Sequence, residues 1–284
     1  MKRDDDPPDR AYPVNLTIIR AAFDVLDTAD PVYGTLNTHL LDLIVVAFYW
    51  LLRPAEYTQS TSADARSQAF QLRHVHLTID GTIHPALSAP LNDASIQRIS
   101  HAALEFADQK NAVRGERIGH GANSDPLICP AKALGRIAYR LKKWGATAET
   151  PLHYHYNLHP AYQGWKPTPS KYIKNALRHA AASIQKATGI DPKHICAKSL
   201  RPGGATALLC ANVGSDAIML LGRWKSDAMF RYLRVQAATS TYSQLMLDHG
   251  AYTFAPSTYA SRGLPVEAPP AVAALLAPAE LFDD

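Results

Sequence analysis

The chain reads as an α+β protein, mostly α-helical with one small antiparallel β-sheet. Three observations lead there. Apolar residues recur at helical spacing over most of its length. Between Phe70 and Arg117 the period shortens to an alternation built around Asp80-Gly81, a strong tight-turn pair. Downstream, thin helices rich in Gly and Ala alternate with basic residues. With 284 residues, 47% hydrophobic and 19% charged, the chain can bury a real core and lies outside the disordered class.

Residues 1–13 form a polar leader. Val14 to Ala29 suits a first helix, with Leu16, Ile19, Ala22, Phe23 and Leu26 on one face, and Asp30-Pro31 breaks it. Asn37 or Thr38 caps a second helix through Leu52, apolar nearly all round and therefore central. Arg53-Pro54 ends it, because the residue before a proline is pushed out of the helical region. The run Leu40–Leu52 is broken only by Asp42, and its 13 residues fall short of the roughly 20 that span a bilayer as a helix, which argues against a membrane partner.

About three strands are expected from Phe70 to Arg117, with a second turn at Gln109-Lys110-Asn111. Cys129-Pro130 opens a helix to about Trp144 that turns Leu134, Ile137, Ala138 and Leu141 inward. Residues 145–168, rich in Tyr, His and Pro, are expected as a loop, and the His153, His155, His159 group as part of a mobile surface segment rather than a metal site. Helices follow from Ser170 to Thr188 and near 203–212, 215–221, 227–238 and 240–249, with Ser215 and Ser226 as caps and Gly214 and Gly222 as stops. The domain so outlined covers 14–255, with a Pro- and Ala-rich tail over 256–284. Cys129, Cys196 and Cys210 are odd in number and widely spaced, so neither a disulfide framework nor a zinc site is indicated, and no metal or cofactor is expected. The charged start lacks the apolar core of a secretory signal.

Charge is unevenly placed. Lys171 to Arg234 holds eleven Lys/Arg against three Asp/Glu, while the remainder holds 18 against 22. A near-neutral chain that gathers its positive charge in one segment suits a phosphate-backbone partner. Within that segment stand Lys198-Ser199-Leu200-Arg201-Pro202-Gly203-Gly204, then Gly222-Arg223-Trp224-Lys225, then Arg231-Tyr232. Gly203, Gly204, Ala205 and Ala207 strip one side of a helix of bulk, so its backbone can approach something closely, and helix N-termini attract phosphates. Arg223, Lys225, Arg231 and Arg234 are expected to touch backbone phosphates.

Lys198-Ser-Leu-Arg201 followed by Gly-Gly-Ala-Thr, with Gly222-Arg223-Trp224 and Tyr232 downstream, resembles the catalytic domain of tyrosine recombinases, in particular the integrase-like proteins of eukaryotic mobile elements. Leu52-Arg53-Pro54-Ala55-Glu56 looks like that family's first arginine motif, and Lys110 falls where the family places a lysine in a hairpin turn. The resemblance spans about residues 40 to 235 and implies a tyrosine recombinase/type IB topoisomerase catalytic-core-like fold. It implies double-stranded DNA as partner, a tetramer on that DNA, an intracellular, nuclear location and no cofactor.

By the same resemblance, Tyr232 attacks a scissile phosphate to give a 3′-phosphotyrosyl link. Arg53 and Arg201 hold the charge that builds on the non-bridging oxygens, and Lys110 protonates the leaving 5′-oxygen. Trp224, whose indole N–H only donates, binds a phosphate oxygen or orients the tyrosine. The chain departs from the pattern in three places. Lys198 stands where the family mostly has histidine, as in type IB topoisomerases. Tyr232 follows Trp224 by eight residues, one fewer than is common. The stretch before Leu40 is too short for the family's DNA-clamping domain, which is therefore expected to be absent. Two other functions stay open: a DNA-binding remnant of a mobile-element integrase, impaired in catalysis, and topoisomerase-like relaxation.

Overall fold

The computed structural model describes residues 11–30, 34–59, 68–107 and 115–224. The chain divides into Met1–Arg234 and Val235–Asp284, and every described residue lies in the first unit. No helix among the described residues is long and apolar enough to cross a membrane.

Helix α1 (Leu16–Val25) starts where Asn15 accepts a hydrogen bond from the Ile18 N–H at 3.0 Å, a side-chain cap on an otherwise unpaired donor. Helix α2 (Gly34–Tyr49) begins earlier than Asn37 or Thr38. A Cβ at position 34 would lie 2.5 Å from the Thr28 carbonyl oxygen, so glycine lets the chain turn sharply into the helix. Thr38 bonds back to the Gly34 carbonyl instead of capping. From His39 to Phe48 every residue of α2 is buried, which makes it the axis of the core. Asp42 tolerates this burial because two guanidiniums of α5 (Pro130–Lys143), those of Arg136 and Arg140, reach it at 2.5 and 2.6 Å.

The second helix stops at Tyr49, three residues before the expected end. Leu51 adopts a left-handed backbone with φ 51°, which swings the chain out of the helix. Pro54 is therefore not a stop. It opens a short helix α3 (Pro54–Tyr57), with Arg53 in extended conformation as its N-cap.

Strands β1 (Val75–Ile79) and β2 (Thr82–Pro85) meet at Asp80 and Gly81, both at positive φ as a primed turn requires. After the single-turn helix α4 (Asp93–Gln97), β3 (Ile99–Phe106) and β4 (Glu116–Gly121) complete a four-stranded antiparallel sheet in the order β2-β1-β3-β4, one strand more than expected. Phe106 pairs with Glu116, so the connection that contains Lys110 springs from this hairpin. One face of the sheet is covered by α5, whose Leu134, Ile137, Ala138 and Leu141 are buried as the periodicity indicated.

The expected loop at 145–168 carries a second, two-stranded sheet, β5 (Tyr154–Asn157) with β6 (Gly164–Pro167). Its alternating Tyr and His residues are strand alternation. Trp144 stacks on Tyr156 with ring centroids 4.3 Å apart, and Trp165 meets the same ring edge-on. Burial of His153 and His155 fixes the hairpin against α2, so this is a packed element and not a mobile segment. The helix expected from Ser170 breaks at Ile184 into α6 (Ser170–Ser183), which packs on α1, and α7 (Gln185–Thr188). Helices α8 (Leu200–Cys210) and α9 (Ser215–Gly222) follow, with Gly214 rather than Ser215 at the cap of α9. The helices expected at 227–238 and 240–249 lie outside the described residues.

Candidate active site

The segment that bears Lys198 and leads into α8 and Arg201 is irregular, and contacts from four residues hold it. Arg178 on α6 donates to the carbonyls of Lys193 and Ile195 at 2.5 and 2.9 Å. The Tyr12 and Val14 N–H groups donate to the carbonyls of His194 and Ser199. The fourth contact comes from α3: the buried Tyr57 hydroxyl donates to the Ala197 carbonyl at 2.8 Å. Tyr57 lies four residues beyond Arg53, so this bond fixes the first arginine motif against the second.

Gly203 and Gly204 explain how α8 reaches that place. A Cβ on Gly203 would meet the Val14 carbonyl oxygen at 2.0 Å, and one on Gly204 the Phe48 carbonyl oxygen at 2.2 Å. The bare face of α8 thus approaches protein backbone, the end of α2 and the residue before the cap of α1. Both glycines are buried there, so the close approach expected of this face is made to protein backbone.

Arg201 leaves α8 toward the end of α2. It is 6% exposed. One terminal nitrogen donates to the Leu51 carbonyl at 2.5 Å and the other to the Gly222 carbonyl. The Trp224 ring covers the guanidinium with 4.1 Å between the guanidinium carbon and the ring centroid. Gly222 makes room for that ring, since a Cβ there would fall 1.6 Å from it.

Arg53, half-buried, is held by Glu56. The Arg53 N–H donates to Oε2 of Glu56 at 2.8 Å, and its guanidinium to Oε1 at 3.0 Å. Glu56 is fully buried and also accepts from Arg223 at 3.1 Å. Arg223 was expected on the surface against phosphates. Instead it is 5% exposed, at the left-handed C-cap of α9 (φ 56°), with its guanidinium 4.1 Å from the Phe106 ring centroid. Burial lowers its pKa to about 10, with Glu56 pulling the value up and Arg53 pushing it down, so it remains a cation at neutral pH.

Arg53, Arg201, Arg223 and Trp224 therefore belong to one connected cluster at the junction of α2, α3, α8 and α9. Arg53 and Arg223 share the Glu56 carboxylate, while Arg201 and Arg223 share the Leu51 carbonyl, so the two motif arginines are tied to one junction. Lys198 is exposed at the turn that precedes α8, where its ammonium is open to solvent. Lys110, Lys225, Arg231, Tyr232 and Arg234 lie outside the described residues. The Arg53–Glu56 pair was open to sequence reasoning, whereas the second partner of Glu56, Arg223, and the site roles of Tyr57 and Phe106 were not. The one available signal was an acidic residue inside an otherwise apolar and basic helix start.

Among the described residues no group of three or more His, Cys, Asp or Glu side chains is arranged to hold a metal ion. The three cysteines are free thiols.

No family model matches the sequence, and no curated protein matches it. Solved structures similar to the chain include the Tn1549 transposon integrase in complex with transposon right end DNA. That chain is 13% identical, with 88% of this chain and 69% of that chain covered and a TM-score of 0.45. The same integrase in complex with circular intermediate DNA is 15% identical, with coverages of 85% and 69% and a TM-score of 0.44. Likeness at that level leaves every residue role to be argued from this chain's own geometry.

Proposed function

We propose that this chain is a tyrosine-recombinase-type catalytic domain that binds duplex DNA and cleaves and rejoins one strand through Tyr232. The observation that carries the reading is the convergence of Arg53 and Arg201, 148 positions apart in sequence, on the carbonyl and carboxylate groups of one helix junction, with Trp224 over Arg201. Two forked cations at one place match a pentavalent phosphorus better than two lysines would. The Tyr232 oxygen attacks phosphorus in line, the phenolic proton is lost to solvent, and the bond to the 5′-oxygen breaks as Lys110 protonates it. The phosphoester bond is conserved in the phosphotyrosyl link, so rejoining needs only the reverse steps. Lys198, at the surface beside Arg201, serves as a cationic donor to a phosphate oxygen. Lys225, Arg231 and Arg234 contact the flanking backbone, and the active assembly is a tetramer on DNA. The affinity to eukaryotic mobile elements, and with it a nuclear location, rests on motif spacing alone.

One observation favours a second reading, a DNA-binding remnant without turnover. Arg201 is nearly inaccessible, and both its terminal nitrogens are engaged by backbone carbonyls. Under the first reading this is a resting state, from which DNA draws the guanidinium to the phosphate.

The test is covalent capture. Nicked duplexes of randomised sequence, with the nick placed to let the short leaving strand diffuse away, trap an adduct that survives denaturation. The adduct is lost in Tyr232→Phe and falls by about 100- to 1,000-fold in Arg201→Ala. Wild-type binding with no adduct rejects the recombinase reading in favour of the remnant.

A further inference from the structure

We infer that Arg223 is a positioning residue that holds the two candidate phosphate-binding arginines in register, and that it does not touch DNA. The inference rests on the proposed function and adds to it a residue that sequence spacing had assigned to the DNA surface.

Helix α2 ends at Tyr49. The last carbonyls of a helix have no N–H partner of their own. Just past that end, the carbonyls of Trp50 and Leu51 accept from Arg223 at 3.1 and 3.3 Å. Leu51 is left-handed, a conformation unfavourable for leucine, and so needs outside support. Its carbonyl is the shared acceptor of Arg201 and Arg223. Arg53 follows two residues later. The distance between Arg53 and Arg201 therefore depends on where the Leu51 carbonyl is pinned.

A second contact fixes Arg53 directly, because Arg223 and Arg53 share Glu56. A third reaches toward Lys110: Phe106, whose ring lies under the Arg223 guanidinium, is the last residue of β3, where the connection containing Lys110 departs. Trp224, the cover of Arg201, is the next residue in the chain. One planar cation thus holds Glu56 of α3, the Leu51 carbonyl that also anchors Arg201, and the end of β3 from which the connection to Lys110 departs. Only a guanidinium can do this, since its donors fan out in a plane toward acceptors on different sides while its face rests on a ring. With a side chain only 2% exposed and paired to the fully buried Glu56, it would reach a surface phosphate only by stranding that carboxylate, a cost that Arg201, bonded to carbonyls, does not carry.

Two variants of the full chain, Arg223→Lys and Arg223→Met, test the inference. For each, the dissociation constant for duplex DNA is measured across a salt series, and the rate constant of adduct formation is measured at saturating DNA. The salt slope is expected to match wild type and affinity to stay within about twofold, because a phosphate contact removed would lower the slope by about 0.9. The rate constant is expected to fall by about 100-fold or more in both variants, as a misplacement of about 1 Å produces, with no rescue by lysine. Should Arg223→Met fail to fold, Arg223→Lys keeps the charge and the aliphatic stem and carries the test. A reduced salt slope, or cleavage by Arg223→Lys at the wild-type rate, overturns the inference. A wild-type chain that binds but forms no adduct overturns the proposed function instead, and the salt slope then still decides whether Arg223 meets DNA.

Discussion

Mild acid should destabilise this domain through its buried histidines. His153 and His155 are only 6% and 7% exposed, and desolvation lowers the pKa of each to about 4. His120, wedged edge-on between Tyr49 and Trp50, is likewise lowered to about 4 by burial. His39 on α2 is pushed well below its usual value, first by burial and then by Arg140 and the two hairpin histidines. In every case the folded value lies below the unfolded one, so the unfolded chain binds more protons between about pH 4 and 6.5 and stability rises with pH across that window. Each pKa unit corresponds to about 1.36 kcal/mol, so lowering the pH from about 7 to 5 costs about 2 kcal/mol per histidine. The three histidines lowered to about 4 would, acting independently, remove about 6 kcal/mol, and His39 shifts in the same direction. Relaxation and water entry that halve this still leave about 3 kcal/mol, against a total stability of about 5–15 kcal/mol. The carboxylates held low, Glu105, Asp125 and Asp191, shift in the direction that also makes stability rise with pH, so they do not offset the loss. Thermal melts followed by circular dichroism should show a fall of about 10 °C between pH 7 and 5. The double substitution His153→Gln, His155→Gln should remove roughly half of the slope. A melting temperature that stays level across this range would refute the burial argument.

Four further outcomes follow from the packing around the site. Gly204→Ala puts a methyl 2.2 Å from the Phe48 carbonyl oxygen, a backbone atom that cannot turn aside, so urea titration should show a loss of about 1–3 kcal/mol. Adduct formation should suffer more than stability in that variant, because Arg201 moves away from Leu51. Asp42→Ala leaves Arg136 and Arg140 facing each other without their shared carboxylate; as both remain about a quarter exposed, the loss should lie near the lower end of about 3–5 kcal/mol in the same assay. Glu56→Ala strands the buried Arg223 and should cost about 3–5 kcal/mol by chemical denaturation. Duplex affinity should fall by about three to five decades between 50 and 200 mM salt if 6–10 phosphates are contacted; a decline of less than one decade would argue against an extended backbone interface.

Several elements were legible in the residues alone. The α5 helix from Cys129-Pro130, the turn at Asp80-Gly81 and the burial of α2 follow from local rules of proline at a helix start, primed turns and hydrophobic period. Less legible was the hairpin at 154–167, because its strands are short, polar in composition and flanked by prolines, and only tertiary contacts with α2 and Trp144 hold them. Arg53-Pro54 illustrates a rule applied at the wrong place. Proline did push its predecessor to an extended conformation, but the helix had already ended at Tyr49 through the left-handed turn at Leu51, which no residue type there announces.

By itself the sequence determined the presence and order of the arginine motifs, the charge gathered toward Arg234 and the thin face of α8. Those are properties of residue type and spacing, which the chain carries whether folded or not. Tertiary structure alone decided what that face meets and which arginine is buried. Gly203 and Gly204 approach protein backbone, and Arg223 turns inward to Glu56 while Lys198 stays outside. The reason is that a cation's partner is set by which carbonyls and carboxylates packing leaves within about 3 Å of it, and such distances arise only when helix ends far apart in sequence are brought together.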